Sequence, residues 1–319
     1  MEPTYKCNLA CSMCFYNKRN NKKELSAENF IDFFKTIKNL NLIQFPGREP
    51  FAKKDFSEIV SYFKDRKIPS LFLTNGTLIT EKNVHNLTYD KNNIVMISLD
   101  GDRNLHDSIR GVDGVFDKTI NAINLINNNC VLKIVCVITD KNLYDLWKLP
   151  SIIKDLGLSE IIFEYERIYT HRLIEESGQI LGGGEGFSDL CLKSDIMPKF
   201  SELALKREIT KACKMAKKQK VKISFLPDYF IKENHLVFNR EIRRKYVCTC
   251  RYLDKIRIDP EGNYIHCFAY RKSFGNILTD SLEDVWNSEE YRTFRKKLLH
   301  SNLLPICETC WAMTPVSRI

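Results

Sequence analysis

The chain has 319 residues, 44% of them apolar, with 49 Lys and Arg against 40 Asp and Glu for a net charge of +9. This length accommodates one large α/β domain and a small second one, and no run reaches the roughly 18 consecutive apolar residues of a membrane span. Twelve cysteines in a chain of this size, with no secretory signal ahead of the first, argue against a disulfide framework and for metal ligation in the reducing cytoplasm.

In chain order, a short segment ahead of Cys7 is expected as a first strand, and the thiols of Cys7, Cys11 and Cys14 follow it in a polar, non-helical stretch. Apolar runs then predict strands at Leu42 to Phe45, Ser70 to Thr74, Ile94 to Leu99, Leu132 to Ile138 and Ile161 to Phe163, with a further one at Val221 to Phe225. Amphipathic patterns predict helices at 27–40, 55–65, 81–87, 116–127, 143–156 and 199–218. The alternation gives about six βα units, fewer than a closed barrel's eight, so the expected fold is α/β, a partial (β/α)6 TIM-type barrel. Five glycines between Gly178 and Gly186 suggest a surface connection or a mobile lid. From about Cys248 the pattern becomes a hairpin, with Lys255 to Asp259 and Tyr264 to Cys267 flanking the turn Pro260-Glu261-Gly262-Asn263, and two short helices precede Cys307. The expected division is a barrel over 1–227, a linker over 228–247 and a small cysteine-rich module over 248–319. Basic runs such as Lys217-Lys218-Gln219-Lys220 and Arg243-Arg244-Lys245 read as solvated helix faces or as docking sites for an acidic electron donor or an acidic substrate segment. No aromatic residues interleave with them as a nucleic-acid site requires, so neither a nucleic acid nor a membrane is an expected partner.

Three thiolates in eight residues wrap one face of an iron–sulfur cubane and leave one iron open to chelate a small molecule, whereas zinc needs a fourth ligand. The run from Cys7 through Cys14 to Phe15-Tyr16 resembles the signature of the radical SAM superfamily, whose [4Fe–4S] cluster binds S-adenosylmethionine. The resemblance implies that Phe15 or Tyr16 lies near the adenine. It continues at Gly47-Arg48-Glu49-Pro50, similar to a Gly-Gly-Glu-Pro turn at the cofactor amine, which brings in Gly47 and Glu49. Arg48 stands where that family has its second glycine, and a left-handed Arg is strained, so the turn is expected to differ locally. By the same resemblance Ser98 and Arg110 hold the cofactor carboxylate, in keeping with the two donors of a guanidinium, and Asp100 binds ribose or accepts a proton.

The second set, Cys248, Cys250, Cys267, Cys307 and Cys310, resembles the Twitch version of the SPASM domain, which carries a single auxiliary [4Fe–4S] cluster. The resemblance implies Cys267, Cys307 and Cys310 as ligands, with Cys250 favoured over Cys248 as the first. Cys130, Cys136, Cys191 and Cys213 are expected as plain buried residues.

These features imply S-adenosylmethionine and two [4Fe–4S] clusters as cofactors, and an external one-electron donor such as flavodoxin or ferredoxin. The expected chemistry is hydrogen abstraction followed by oxidation, with Glu164 or Glu166 at a strand end taking the proton. Modification of a peptide or protein side chain is the first functional expectation. A small-molecule dehydrogenase acting on an aminocyclitol or sugar-like substrate is the second, and a non-catalytic electron carrier the third.

Overall fold

The apolar runs with a two-residue period become one parallel sheet. In a computed structural model describing residues 1–16, 22–126, 129–187, 190–192, 200–226, 246–248, 256–300, 303–310 and 312–315, its strands are β1 (Ile43–Phe45), β2 (Ser70–Thr74), β3 (Ile94–Ser98), β4 (Val131–Ile138), β5 (Glu160–Tyr165) and β6 (Lys222–Leu226). They pair in sequence order, each parallel to the last, and β1 and β6 do not meet, so the barrel is partial. Parallel neighbours need crossovers. These are supplied by α2 (Phe56–Asp65), α3 (Arg103–Arg110), α4 (Val115–Ile126), α5 (Leu149–Asp155), α6 (His171–Leu181) and α7 (Glu202–Gln219), with α1 (Ala27–Thr36) preceding the sheet.

Strand periodicity divides the sheet into two faces. Phe45, Phe72, Val95, Ile97, Phe163 and Phe225 are buried in the core. Their alternates Gln44, Leu71, Leu73, Met96, Ser98, Val137, Glu164 and Leu226 line a concave cavity instead. The register puts Glu164 beside both Val137 and Leu226. A one-residue slip in any strand would exchange core for cavity residues. The core side is strongly aromatic: Phe45 stacks on Phe72 at 5.3 Å, and Phe34 of α1 meets Phe63 of α2 edge-on at 5.0 Å.

Several expectations need correction. Among the described residues the segment ahead of Cys7 joins no ladder; Glu2 N–H donates to the Ile258 carbonyl (2.8 Å) and the Lys6 carbonyl accepts from Glu49 N–H (3.2 Å), so it runs between sheet and C-terminal hairpin. The helix expected over 81–87 is only a 3-10 turn at Val84–Asn86. Two helices the pattern did not predict, α3 and α6, are present, each started by an N-cap side chain: Asp102 accepts from Leu105 N–H and Thr170 from Leu173 N–H.

The glycine-rich stretch is packed. Gly182 ends α6 in a left-handed conformation, Gly186 accepts from Arg271 N–H (2.7 Å), and a Cβ on Gly186 would lie 2.5 Å from the Tyr270 ring. Its glycines therefore allow close approach to the C-terminal module. That module contains the expected hairpin, β8 (Arg257–Ile258) with β9 (Tyr264–Ile265), followed by α8 (Leu282–Asn287) and α9 (Glu289–His300). A strand β7 (Tyr246–Cys248), starting inside the expected linker, pairs antiparallel with β10 (Met313–Pro315) and sets Cys248 opposite Met313. The rest of that linker lies outside the described residues. The buried ion pair of Arg271 with Glu2 (2.9 Å) fastens module to barrel. Among the described residues no helix is long and apolar enough to cross a membrane.

Candidate active site

The concave face of the sheet, the cysteine loop and the edge of the C-terminal module enclose a cavity of about 2040 Å³, counted with its open mouth. Cys7, Cys11 and Cys14 all face it. Their loop is fixed by backbone bonds to the last turn of α3: Ala10 N–H donates to Arg110 O (3.1 Å) and Ser12 N–H to Ile109 O (2.9 Å). Gly111 makes this approach possible. It caps α3 at φ +71°, and a Cβ there would stand 2.6 Å from the Ala10 carbonyl oxygen. On the other side, Asn8 accepts from the Asn75 amide (3.0 Å) and donates to Thr77 (2.8 Å), tying the loop to the end of β2.

Glu49 is buried at the cavity wall and accepts from the Thr74 hydroxyl (2.9 Å), Asn75 N–H (2.8 Å) and Phe51 N–H (3.2 Å). Burial raises its pKa to about 7 in spite of these donors. Of the preceding turn only Gly47 is left-handed (φ +107°); Arg48 keeps an ordinary backbone and lays its guanidinium over Tyr16 at 4.6 Å and Tyr5 at 5.3 Å. The strain expected of Arg48 is therefore absent, because the one left-handed residue is still a glycine.

Ser98 and Arg110 both line the cavity. Asp100 does not: it is fully buried, one oxygen 2.6 Å from Arg110 Nε and the other accepting from Val137 N–H (3.1 Å). Burial alone would raise its pKa, but the adjoining Arg110 guanidinium outweighs this and holds it at about 2. Asp100 is thus placed to orient Arg110 rather than to meet a ribose or take a proton. Arg110 then turns Nη1 toward Cys11 Sγ (3.8 Å), while its buried Nη2 has no hydrogen-bond partner among the described residues. An orphaned guanidinium nitrogen in a cavity that Ser98 and three thiols also line fits the carboxylate of a cluster-bound amino acid.

Phe15 and Tyr16 also border the cavity, their rings 4.3 Å apart. The two candidate carboxylates at the end of β5 separate: Glu164 faces the cavity, whereas Glu166 is not among its lining residues. Burial raises the pKa of Glu164, opposed by Arg167 at 3.8 Å.

A second cavity, about 670 Å³ counted with its open mouth, lies in the C-terminal module, and Cys248, Cys267, Cys307 and Cys310 all face it. Cys250 lies outside the described residues. Backbone N–H groups already point at two of the sulfurs, Tyr270 N–H at Cys267 Sγ (3.2 Å) and Ala312 N–H at Cys310 Sγ (3.4 Å), as suits thiolate ligands. The remaining wall is mostly apolar, built from residues such as Phe294, Leu298, Leu304 and Ile306. His266 is held neutral, its pKa lowered to about 3 by burial and by Arg257 and Arg295. Among the described residues no three Cys, His, Asp or Glu side chains converge on a single-ion site. Arg167, Arg257, Phe268 and Ala312 line both cavities and form their common wall.

Of the other cysteines, Cys130 and Cys136 are buried as expected and Cys213 is half-buried, but Cys191 is exposed. Sequence reading overlooked the shared wall, for which the only signal is the position of Phe268 immediately after Cys267.

The Radical SAM superfamily model matches residues 1–145, and that of SPASM, an iron–sulfur cluster-binding domain, matches 248–311. The antilisterial bacteriocin subtilosin biosynthesis protein AlbA of Bacillus subtilis is 24% identical over 298 residues, covering 90% of this chain and 58% of AlbA. The mycofactocin maturase MftC of Mycolicibacterium smegmatis is 32% identical over 162 residues, 49% of this chain and 41% of MftC. This chain spans about half the length of the curated relatives it matches. In fold it resembles SuiB of Streptococcus suis, solved with S-adenosylmethionine, with a TM-score of 0.67, 20% identity, and coverage of 96% of this chain and 71% of SuiB. With a three-thiol cavity in the barrel and a four-thiol cavity in the tail, the chain is a radical SAM protein with a SPASM domain, the first domain of the kind that binds S-adenosylmethionine and a [4Fe–4S] cluster and the second of the kind that binds auxiliary iron–sulfur clusters.

Proposed function

We propose that this protein oxidatively modifies a side chain of a peptide or protein in the cytoplasm, taking electrons for initiation from a flavodoxin or ferredoxin. The observation that carries this reading is the common wall: a substrate in the large cavity rests against the four-thiol cavity on the other side of Phe268. The roles of AlbA and MftC, bacteriocin biosynthesis and mycofactocin maturation, support a peptide substrate. So does a second SuiB structure, solved with the precursor peptide SuiA bound.

In this reading Cys7, Cys11 and Cys14 hold the first cluster, and Cys248, Cys267, Cys307 and Cys310 the second. When bound, the first with S-adenosylmethionine supplies a 5′-deoxyadenosyl radical and the second an electron acceptor. Arg110, oriented by Asp100, and Ser98 clamp the cofactor carboxylate; Glu49 receives its amine; Phe15 and Tyr16 offer an apolar surface to the adenine. Glu164 accepts the proton that oxidation releases, since burial has already raised its proton affinity and it faces the cavity.

The test is anaerobic incubation of the reconstituted, reduced protein with S-adenosylmethionine and a synthetic peptide encoded beside its gene. Formation of 5′-deoxyadenosine together with a peptide two hydrogens lighter is expected. No 5′-deoxyadenosine would end the radical reading, and 5′-deoxyadenosine with oxidation of an aminocyclitol instead would replace the peptide by a small molecule. Glu164→Gln should lower product relative to 5′-deoxyadenosine by at least about tenfold, as loss of a general base does.

A further inference from the structure

Four guanidiniums, from Arg48, Arg110, Arg167 and Arg257, line the large cavity against the carboxylates of Glu49 and Glu164. Four guanidiniums against two carboxylates leave the protein part of this wall net positive, which favours an anionic group over a cationic one beside the arginines.

Three of the four cations are occupied. Arg110 is engaged by Asp100 and aimed at the cofactor, Arg48 lies over Tyr5 and Tyr16, and Arg167 lies 3.8 Å from Glu164 and over Phe15 at 4.7 Å. Arg257 differs. Its guanidinium carbon lies 3.7 Å from the centroid of the Phe268 ring, and among the described residues no carboxylate or side-chain acceptor reaches it. It sits on β8 with its backbone paired to Ile265, so a hairpin fixes its position. A guanidinium over an aromatic face keeps its N–H edge for a planar acceptor. Arg257 also belongs to the common wall, beside any atom lying between the two thiol sets.

We infer that Arg257 binds a carboxylate of the substrate, so that the molecule modified carries an acidic group next to the reacting carbon. The carboxylate belongs either to an Asp or Glu side chain of a peptide or to a small carboxylic acid. This rests on the reading above only in locating the substrate in the large cavity. The planar acceptor takes two N–H donors of Arg257 and displaces water from the wall, while Phe268 holds the donor plane.

The test is a binding measurement on the holoprotein with S-adenosylmethionine present. The probes are N-acetyl-Gly-Glu-Gly-amide, its Gln counterpart and glutarate, followed through the paramagnetic relaxation of their methylene protons. Wild-type protein is expected to prefer the Glu peptide, glutarate or both over the Gln peptide by about tenfold or more at low salt. Arg257→Gln is expected to abolish that preference, and Arg257→Lys to keep part of it, which separates loss of charge from loss of fold. Retention of glutarate identifies a carboxylate alone as sufficient; preference for the Glu peptide only shows that backbone is read as well. Equal affinity for Glu and Gln probes, binding of none, or a preference that survives Arg257→Gln overturns the inference. Failure of the wild-type protein to form 5′-deoxyadenosine would defeat the radical reading separately, because the carboxylate preference is read from binding alone.

Discussion

The two thiol cavities solve opposite problems. The barrel cavity is open and carries charged groups with spare donors, Arg110 Nη2 above all, around three thiols. The cavity in the module is smaller, walled by apolar side chains, and faced by four. An incomplete thiol set paired with unsatisfied donors marks a place for a second molecule. A fuller set in a largely apolar shell marks a place for a group held by protein ligands alone. In the proposed function the contrast corresponds to a radical-generating centre and an electron-accepting one.

The largest effect that should sharpen the contrast comes from cysteine replacement. Cys11→Ala is expected to abolish 5′-deoxyadenosine formation, by about a thousandfold or more, and to remove about half of the bound iron. Cys267→Ala should remove the other half and leave the electron paramagnetic resonance signal of the S-adenosylmethionine-bound cluster in place. Iron analysis with that spectrum on both variants reads the outcome, and loss of both clusters in either one would break the comparison.

A smaller effect concerns what holds the open cavity in shape. Asp100→Asn leaves the buried Arg110 guanidinium without its carboxylate and should cost about 3–5 kcal/mol in a denaturant melt of the cluster-free protein. Disrupting the exposed pair of Arg103 and Asp117 should cost under about 1 kcal/mol. Equal costs would mean that Asp100 is not a specific support.

The smallest of the three depends on pH. An acid whose folded pKa is raised keeps its proton in the folded state while the unfolded chain loses it, so its stability contribution is present below the unfolded pKa and lost as pH rises. For Glu49, raised from 4.5 to about 7, the window is pH 4.5 to 7 and the loss about 3 kcal/mol. Melts of cluster-free wild type and Glu49→Gln across this range should diverge as pH rises, wild type falling faster. Parallel curves would show that its donors already accommodate the charge.

Much of the architecture was legible because buried parallel strands read as short apolar runs, and the cysteine spacings are specific local signals. What escaped detection depends on neighbours in space. Arg103–Arg110 carries too few apolar residues to register as a helix, yet Asp102 and Gly111 cap it at both ends. The interior Gly178 and the following glycines disguised His171–Leu181 as part of a loop, although only Gly186, beyond the helix, needs its missing side chain to approach Tyr270 and Arg271. Glu164 and Glu166 looked equivalent by alternation, but only Glu164 has sheet neighbours on both sides at the cavity. Cys250, favoured over Cys248 by spacing, lies outside the described residues, and the β7–β10 pairing that sets Cys248 opposite Met313 speaks for the position of Cys248 alone.

The seating of the cysteine loop on the final turn of α3 has one more consequence. Arg110 and the Ala10–Ser12 stretch ride on the same two backbone hydrogen bonds. The helix end therefore acts as a spacer between the Arg110 guanidinium and the three thiols: two backbone hydrogen bonds fix the loop to α3, while Asn8 and Asp100 anchor the loop and Arg110 in turn to the ends of β2 and β4, so the separation of guanidinium and thiols is set from both sides.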